Sequence, residues 1–425
     1  MLKYSKKKIF EIASVLNGYA FKSQNYTTSG IRIIRIANVQ DGFIVDDSPC
    51  FYPIDESEDI KSYFLYENDL LISLTGNVGR VGILNKSLLP AALNQRVACI
   101  RPDLTVINVK FLFYYLQQNS FQNSCIQASR GMAQLNLSSK WLAEYELPVP
   151  PLPEQERIVA KIEELFSQLD AAVAELKSVK EKLAIYRQAV LKEAFEGKIS
   201  SRNKYDYVLD NQFRKISSSE LEKLSPIPEH WRYVYLSDLG ELARGKSKHR
   251  PRNDSRLFEN GKYPFFQTGD VKSAQKELIE CEKKYGDFGL AQSKLWSKGT
   301  LCITIAANIA ETCFLGVDAC FPDSIVGFTP NEAIVDKAYV RWFIEISKAQ
   351  LWAFAPATAQ KNINLTTLEN LIVPYCSLKE QKIIVQDIEE KISVCNNIEQ
   401  TVDTALQQAA ALRQSILKQA FEGDF

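Results

Sequence analysis

The chain has 425 residues, of which 46% are hydrophobic and 24% charged, and its 51 basic and 51 acidic side chains leave no net charge. Because the usual domain has about 150 residues, more than one domain is expected, and the composition excludes a disordered chain, a collagen and a membrane bundle. Zero net charge also excludes a general attraction to nucleic acid, so any such binding must depend on local clusters.

Targeting and redox signals predict a cytoplasmic protein. No apolar stretch reaches the roughly 18 residues of a membrane span. The first residues, MLKYSKKKIFEIASVLNG, lack the apolar run and cleavage site of a signal peptide. The nine cysteines are irregularly spaced with no CxxC pair, and only two histidines accompany them. We therefore expect reduced, mostly buried thiols and neither a disulfide framework, a metal site nor a membrane partner.

Residues 1–146 have the pattern of a compact α/β domain, the first head. Short β-rich runs (IRIIRIANV, DLLISL and RVACIRP) are separated by Gly, Asn and Asp, and a helical pattern covers Val109 to Gln118. We expect the apolar runs to form the core of this domain.

A long helix is predicted from Glu154 to Phe195, bounded by Pro153 and Gly197. Apolar residues recur at alternating spacings of four and three, which is the seam pattern of a coiled coil. The seam includes Ile158, Ile162, Leu165, Leu169, Leu176 and Leu183. At ~1.5 Å per residue the helix is ~63 Å long, more than the width of a small domain, so it needs a partner to bury its seam.

A linker and a second head follow. Residues 200–226 are polar and serine-rich, typical of a loop with at most one short helix. Residues 227–372 again have an α/β pattern, with the runs WRYVYL, TLCITIA and SIVGF and a helical pattern from Ala338 to Ile346. The sequence GELARGKS at 240–247 fits the phosphate-loop pattern, but polar residues and Pro251 follow where a helix should begin, which disfavours nucleotide binding.

An internal duplication organises the whole chain. PLPEQERIVAKIEE from Pro151 aligns with SLKEQKIIVQDIEE from Ser377 at an offset of 380 − 154 = 226, which also relates the two AFEG sequences that end the helical regions. Over 147–199 and 373–425, 19 of 53 aligned positions are identical. The second helical region, 373–425, continues the seam pattern with Ile384, Ile388, Ile398, Val402, Leu412 and Ile416.

The duplicate is the nearest partner for each long helix. Pairing about an approximate two-fold axis gives an antiparallel two-helix coiled coil with one head at each end. A parallel pair is disfavoured but stays open, because the linker could stretch ~90 Å. The ~50 Å from Ile158 to Val190 corresponds to about one and a half turns of DNA at ~34 Å per turn. This plan favours a reader of a bipartite DNA site.

The strongest local signal for DNA binding is a basic loop in the second head, opposed only by Asp254. Basic side chains on a loop can contact phosphates, and arginine can also read guanine; a solvated loop is the alternative. The basic loop contains Arg244, Lys246, Lys248, Arg250, Arg252 and Arg256. Further candidate DNA contacts are Arg80, Arg130, Gln134, Gln360 and Lys361. We find no catalytic motif of the [DNS]PP[YFW], GxGxxG or HExxH type.

The repeated helix entrances, the AFEG ends and the two-head plan resemble the specificity subunit of type I restriction-modification enzymes over nearly the whole chain. LPVPPLPEQ in the first copy matches the family's helix entrance, whereas VPYCSLKEQ departs from it at Cys376, Ser377 and Lys379. The resemblance implies two target-recognition domains and two conserved helical regions packed as an antiparallel coiled coil, with each head contacting one half of an asymmetric, gapped DNA sequence.

The resemblance also implies a non-catalytic chain with no cofactor of its own. Two methyltransferase (modification) subunits would dock on the helical regions and clamp double-stranded DNA, and restriction (motor) subunits would join for cleavage. S-adenosylmethionine, ATP and magnesium would belong to those partners. Two alternatives stay open at this point: a self-contained DNA methyltransferase or nuclease, and a coiled-coil adaptor that does not bind DNA.

Overall fold

The computed structural model describes residues 4–54, 60–129, 135–199, 213–274, 276–353 and 362–423. The chain divides into two compact units: unit 1 consists of Met1–Ser178 and Val402–Phe425, and unit 2 of Val179–Thr401. Both unit boundaries fall inside the helical regions, so each long helix begins in one unit and ends in the other. The domain limits expected at 146, 199, 226 and 372 stay predictions.

The described strands of unit 1 form three sheets. These strands are β1 (Lys6–Lys8), β2 (Ala13–Asn17), β3 (Ile31–Ile34), β4 (Phe51–Tyr52), β5 (Phe64–Leu65), β6 (Leu70–Ser73), β7 (Val81–Ile83), β8 (Ala91–Leu93), β9 (Val97–Pro102) and β10 (Glu146–Pro148). An antiparallel sheet has the order β2-β9-β6-β7, and a second sheet has the order β4-β3-β8-β5 with β3 and β8 parallel. β1 pairs with β10. All four residues of β6 are buried, which explains its continuous apolar run.

The described helices of unit 1 include three short helices and the start of one long helix. They are α1 (Val109–Leu116), α2 (Asn119–Ala128), α3 (Ser139–Glu144) and the first part of α4 (Leu152–Phe195). The Asn108 side chain accepts hydrogen bonds from the amides of Lys110 and Phe111 and so caps α1. The apolar side of α1 shares one buried core with β6 and β9. The helix and the strands expected in this head are therefore confirmed.

The described strands of unit 2 repeat the main sheet of unit 1. They are β11 (Arg232–Tyr235), β12 (Gly240–Arg244), β13 (Tyr263–Pro264), β14 (Glu277–Leu278), β15 (Lys284–Tyr285), β16 (Leu301–Thr304), β17 (Thr312–Leu315), β18 (Ile325–Pro330) and β19 (Ile372–Tyr375). The sheet order β12-β18-β16-β17-β14 begins with four antiparallel strands arranged like β2-β9-β6-β7. β11 pairs with β19 as β1 pairs with β10. The heads thus share a plan although their sequences differ.

The helices of unit 2 include one in the linker. The described helices are α5 (Ser218–Leu221), α6 (Thr268–Ser273), α7 (Asp287–Ala291), α8 (Lys337–Ala353), α9 (Leu365–Glu369), the first part of α10 (Leu378–Glu422) and the last part of α4. α8 extends the helix expected from Ala338 to Ile346. In the phosphate-loop pattern, Gly240–Arg244 forms β12, so the pattern does not have the strand-to-helix turn that phosphate binding requires. Among the helices of the described residues, none is long and apolar enough to cross a bilayer.

Each long helix is fixed at its start by a fully buried glutamine of the repeated entrance motif, Gln155 in α4 and Gln381 in α10. Each glutamine donates two hydrogen bonds from Nε2 and accepts one at Oε1. The partners of Gln155 are the carbonyls of Val106 and Pro150 and the Asn108 amide, and those of Gln381 are the carbonyls of Ile334 and Cys376 and the Asp336 amide. Both glutamine side-chain amides are hydrogen-bonded, so their burial leaves no unpaired polar group. These hydrogen bonds join the start of α4 to the segment before α1, and the start of α10 to the segment before α8.

The end of α10 completes the core of unit 1. The ring of Phe421 lies 5.1 Å from the rings of both Phe111 and Tyr115 on α1. Ala420 and Leu417 are also buried in this core. Edge-to-face aromatic pairs at this distance stabilise a core beyond the area that they bury. Unit 1 therefore contains an apolar segment of the helix that begins in unit 2.

The end of α4 completes the core of unit 2 in the same way. Phe195, the equivalent of Phe421 in the other AFEG sequence, lies 5.0 Å from Tyr339 and 5.2 Å from Phe343 on α8. The predicted helix stop at Gly197 is confirmed: its φ is +72°, and a Cβ there would lie 2.3 Å from the Pro228 ring. Glycine is the residue that accepts this backbone conformation without strain.

Helix-to-helix contacts inside each unit follow the duplication. In unit 1 the Arg413 guanidinium donates to Asp170 (2.7 Å). In unit 2 the equivalent Arg187 donates to Asn396, the equivalent of Asp170, also at 2.7 Å. In each unit, therefore, the first half of one long helix contacts the second half of the other, as in an antiparallel pair.

Burial varies along the predicted seam, which stays a prediction. Buried seam residues are Ile158, Ile162, Ile384, Ile388, Val402 and Ile416, whereas Leu165, Leu169, Leu176 and Leu183 are half-buried. Ile398 and Leu412 are 40% and 51% exposed. The next residue makes the helix contact instead in each case, because Glu399 pairs with Arg187 and Arg413 covers the Phe166 ring at 4.0 Å. In an α-helix with 3.6 residues per turn, successive side chains point about 100° apart. When Glu399 or Arg413 faces the other helix, the preceding Ile398 or Leu412 therefore points toward solvent.

Replacing Phe421 by alanine should destabilise unit 1. The substitution leaves a cavity between α10 and α1, and truncation of a buried phenylalanine typically costs about 3–5 kcal/mol. Chemical denaturation of the full chain measures the effect. Leu412→Ala, on the exposed side of the same helix, is the matched control and should change the free energy of unfolding by less than about 0.5 kcal/mol. Equal losses in the two variants would contradict the packing of the helix end.

Candidate nucleic-acid interface

The basic loop of the second head leaves the end of β12 and is held by backbone hydrogen bonds. The amides of Gly245, Lys246 and Lys248 donate to the carbonyls of Ile325, Phe321 and Gln292. These bonds fix the loop against the rest of the head, while five of its six predicted cations are exposed and Lys246 is half-buried. A fixed loop that presents exposed cations has the features of a phosphate-binding surface.

Two carboxylates balance part of this charge. Arg252 Nη2 lies 2.9 Å from Asp323 Oδ1, and Arg244 Nε donates to the Asp323 carbonyl (2.9 Å). Arg256 pairs with Asp254 at 2.7 Å. The hydrogen bonds from Arg256 and then His249 hold the pKa of Asp254 well below its usual value, so this carboxylate stays ionised. The loop and its surroundings therefore have six basic and two acidic side chains, so their net charge is positive.

A cavity of about 310 Å³ adjoins the basic loop. Ser247 and Arg252 of the loop line it together with Gln267 and Asp270 at the start of α6. Tyr285 forms part of its wall and stacks on Phe265 with ring centroids 4.1 Å apart. The cavity combines a cation, an amide, a carboxylate and an aromatic pair, which are the groups that contact phosphates and base edges.

In the first head, the structure places Arg80 beside a second cavity of about 220 Å³. Its guanidinium Nη1 donates to Gln40 Oε1 (3.1 Å), and Gln40 Nε2 in turn donates to the Ala37 carbonyl (2.8 Å). Thr75 and Asn77 from the loop between β6 and β7 line the same cavity. Arg80 is thus held in place by a side-chain amide at a partly exposed position.

The structure brings together the six cations of the basic loop, but four other predicted DNA contacts lie outside the described residues: Arg130, Gln134, Gln360 and Lys361. Two residues of the surface were missed in the sequence. Asp323 is 71 positions from Arg252, and Gln40 is 40 positions from Arg80, so no local pattern connects them. These segments come together only in the folded head.

Metal and thiol chemistry do not add a second site among the described residues. No group of three or more His, Cys, Asp or Glu side chains in that part of the chain is placed to hold a metal ion. All nine cysteines are free thiols, and Cys50 and Cys281 alone among them are not fully buried. Burial raises the pKa of the Cys125 thiol to about 12, which keeps it protonated and unreactive.

Comparison with known proteins assigns the chain to a family. The model of the type I restriction modification DNA specificity domain matches twice, at residues 1–181 and 228–408. The EcoBI specificity subunit of Escherichia coli is 26% identical over 423 residues, covering 97% of this chain and 84% of that protein. The EcoKI specificity subunit of Escherichia coli strain K12 is 24% identical over 440 residues, covering 97% and 87%.

Solved structures share the fold. A structure concerned with complex assembly and conformational transition of the type I R-M system has a TM-score of 0.75 at 18% identity, covering 99% of this chain and 98% of that one. The HsdS subunit of Thermoanaerobacter tengcongensis has a TM-score of 0.59 at 18% identity, covering 99% and 97%. At this identity the likeness establishes the fold.

The protein class defined by this fold is a duplicated, mixed α/β chain with two long helices. The chain belongs to the type I restriction-modification DNA specificity family, because the family model covers most of its length. It is accordingly a specificity subunit, the component that recognises DNA sequence rather than a catalytic component. This confirms the family, the role in DNA sequence recognition and the non-catalytic role expected from the sequence.

Removing two cations of the basic loop should weaken DNA binding and make it less dependent on salt. For the double variant Lys248→Gln with Arg250→Gln, we expect the slope of log affinity against log salt to fall by about 0.9 for each phosphate that the loop no longer neutralises. Titration of a labelled duplex at several salt concentrations measures it. The control removes the same charge from the linker, Lys215→Gln with Lys223→Gln, both exposed. An identical salt slope in the loop variant and the wild type would show that the basic loop does not meet phosphates.

Proposed function

We propose that the two heads read the two halves of an asymmetric, bipartite DNA site and that the paired long helices set the number of base pairs between them. The observation that carries this proposal is the double family match, one for each half of the chain. A duplicated reader has two DNA surfaces. Since the two heads differ in most residues outside the helical regions, their half-sites differ in sequence.

The charged surfaces of the heads support reading by different side chains. The second head presents a loop with six cations and two balancing carboxylates, Asp254 and Asp323. The first head presents Arg80, held by Gln40. Arginine forms two hydrogen bonds with guanine, and an amide forms two with adenine, so such surfaces discriminate between bases. We propose that Arg130, Gln134, Gln360 and Lys361 add to these contacts.

The long helices are suited to fix a separation. α4 has 44 residues and α10 has 45, so each extends over about 66 Å at ~1.5 Å per residue. Both are held at their starts by buried glutamines and at their ends by phenylalanines that pack in a head core. A helix held at both ends transmits a fixed length, whereas a flexible linker would allow many spacings.

Partners supply the chemistry of the complex. We propose that two methyltransferase subunits dock on the helical regions and close around double-stranded DNA, and that restriction subunits join for cleavage. S-adenosylmethionine, ATP and magnesium then belong to those subunits, and the complex works in the cytoplasm. Exposed apolar side chains on the helices, including Ile185, Val394 and Ile398, offer contact area for such partners.

Deleting one heptad from the middle of both helices tests the spacing role. Removing 175–181 together with the equivalent 401–407 shortens each helix by ~10.5 Å and keeps the seam in register. We expect the gap in the methylated motif to shorten by about three base pairs, at ~3.4 Å per base pair, while both half-sites persist. Sequencing of methylated DNA from a host that carries the subunit and its partners measures the gap.

Deletion of the heptad from α4 alone is the matched control. It leaves the partner helix unchanged, breaks the equivalence of the helices and should abolish methylation. An unchanged gap in the paired deletion would contradict the spacing role of the helices. A changed half-site would show that the heads and the helices are not independent.

A further inference from the structure

A hairpin loop with the same internal bonds recurs in both heads. In the first head it joins β6 to β7 with the sequence SLTGNVGR (73–80), and in the second it joins β16 to β17 with TIAANIAE (304–311). The Ser73 hydroxyl donates to the Asn77 carbonyl and accepts from the Arg80 amide. Thr304 makes the same two bonds with Asn308 and Glu311. Asparagine is the one side chain that the two loops have in common.

The second loop has the same backbone conformation as the first, and this conformation costs energy because alanines replace the glycines. Gly76 and Gly79 in the first loop have φ values of +69° and +87°, and the equivalent Ala307 and Ala310 both have +63°. Glycine adopts this left-handed conformation freely, whereas alanine in it costs roughly 1 kcal/mol or more. Strained backbone that is retained in a partly exposed loop is a reason to look for a function.

A second shared feature meets this loop in each head. The amide of Leu137 donates to Leu74 (2.7 Å), and that of Ile363, its equivalent at an offset of 226, donates to Ile305 (2.9 Å). Bridges join Thr75 to Asn136 and Ala306 to Asn362. Asn136 and Asn362 end the AQxN sequences, the part of the duplication that extends upstream of the helical regions. Two separate sequences shared by otherwise different heads therefore converge on one loop.

The residue that closes the loop differs in charge between the heads. Arg80 stands at this position in the first head and Glu311 in the second. Arg80 is held by Gln40, and Glu311 is held by Lys348 (3.0 Å), so both side chains are oriented and both stay partly exposed. A cation also reaches the tip of the second loop, where Lys272 lies 3.4 Å from the Asn308 side chain.

The shared shape of the loop and the different charge of its closing residue together indicate which chemical groups the loop contacts. A surface that contacts the same chemical group in both heads keeps its shape, and the phosphodiester backbone is such a group. A side chain that contacts a different chemical group in each head is expected to differ between the heads. Base edges are such groups, because they differ between the two half-sites. Arginine pairs with guanine, whereas a carboxylate accepts a hydrogen bond from the amino group of cytosine. Docking of a methyltransferase subunit on this loop would explain a constant shape but not a reversal of charge beside it.

We propose that the loops Thr75–Asn77 and Ala306–Asn308 contact the DNA backbone in their respective heads and that Arg80 and Glu311 are equivalent base-reading residues. This rests on the proposed function, because it requires that each head reads one half-site. Arg80 then determines a position of one half-site and Glu311 a position of the other.

The test sequences the methylated motif produced by the full-length subunit with its methyltransferase partner. For Arg80→Gln we expect the base preference at one or more positions of a single half-site to fall by about 10- to 100-fold, with the other half-site unchanged. Glu311→Gln should have the same effect on the opposite half-site. Both variants retain a side chain that can hydrogen-bond, and the thermal midpoint of each checks the fold.

The loop itself is tested by Asn77→Asp, an isosteric change that adds a negative charge at an exposed position. It should lower affinity for all duplexes by about five-fold, the effect of roughly 1 kcal/mol of repulsion, and leave the motif unchanged. Asn68→Asp makes the same change at an exposed asparagine on the opposite end of β6 and should have no effect.

Three results overturn the proposal. The first is a wild-type bipartite motif that stays intact in both Arg80→Gln and Glu311→Gln. The second is an alteration of both half-sites by either variant. The third is an Asn77→Asp subunit that binds DNA normally but assembles poorly with the methyltransferase, which would make the loop a docking surface. A wild-type subunit that yields no bipartite motif overturns the proposed function, and this proposal with it.

Discussion

The structure depends on one constraint: a long helix with an apolar seam cannot bury that seam or its ends by itself. The chain satisfies this constraint by letting each helix finish inside the core of the other unit. Phe421 packs on Phe111 and Tyr115 in unit 1, and Phe195 packs on Tyr339 and Phe343 in unit 2. Each core therefore contains apolar side chains from the helix that starts in the opposite unit.

The same duplication separates what is constant from what varies. The order β2-β9-β6-β7 recurs as β12-β18-β16-β17, and buried glutamines hold both helix starts. These shared parts form the cores of the heads and hold the starts of the long helices. The surfaces differ, because the second head has a basic loop from Arg244 to Arg256 and the first head has Arg80 held by Gln40. A specificity subunit can thus change its recognised sequence through surface side chains while its frame stays the same.

Local signals made the frame predictable from the sequence. The long helices, the helix stop at Gly197 and the β-rich runs all depend on neighbours along the chain, and the structure contains each of them. Two predicted seam residues, Ile398 and Leu412, are exposed, because within each unit the contacts of Glu399 and Arg413 set which side of α10 faces α4. The shared hairpin loop could not be predicted from the repeat, because its offset is 304 − 73 = 231 rather than 226. Five additional residues before the loop of the second head shift the two loops out of the alignment. The pairing of Arg252 with Asp323 depends on sheet topology, which no local pattern reveals.

The most direct measurement is the methylated motif of a host that carries the unaltered subunit with its methyltransferase partner. Two unlike heads on paired helices of fixed length predict two different half-sites separated by a constant number of unspecified base pairs. A single continuous motif, a palindromic one, or half-sites separated by variable gaps would contradict the two-head reader.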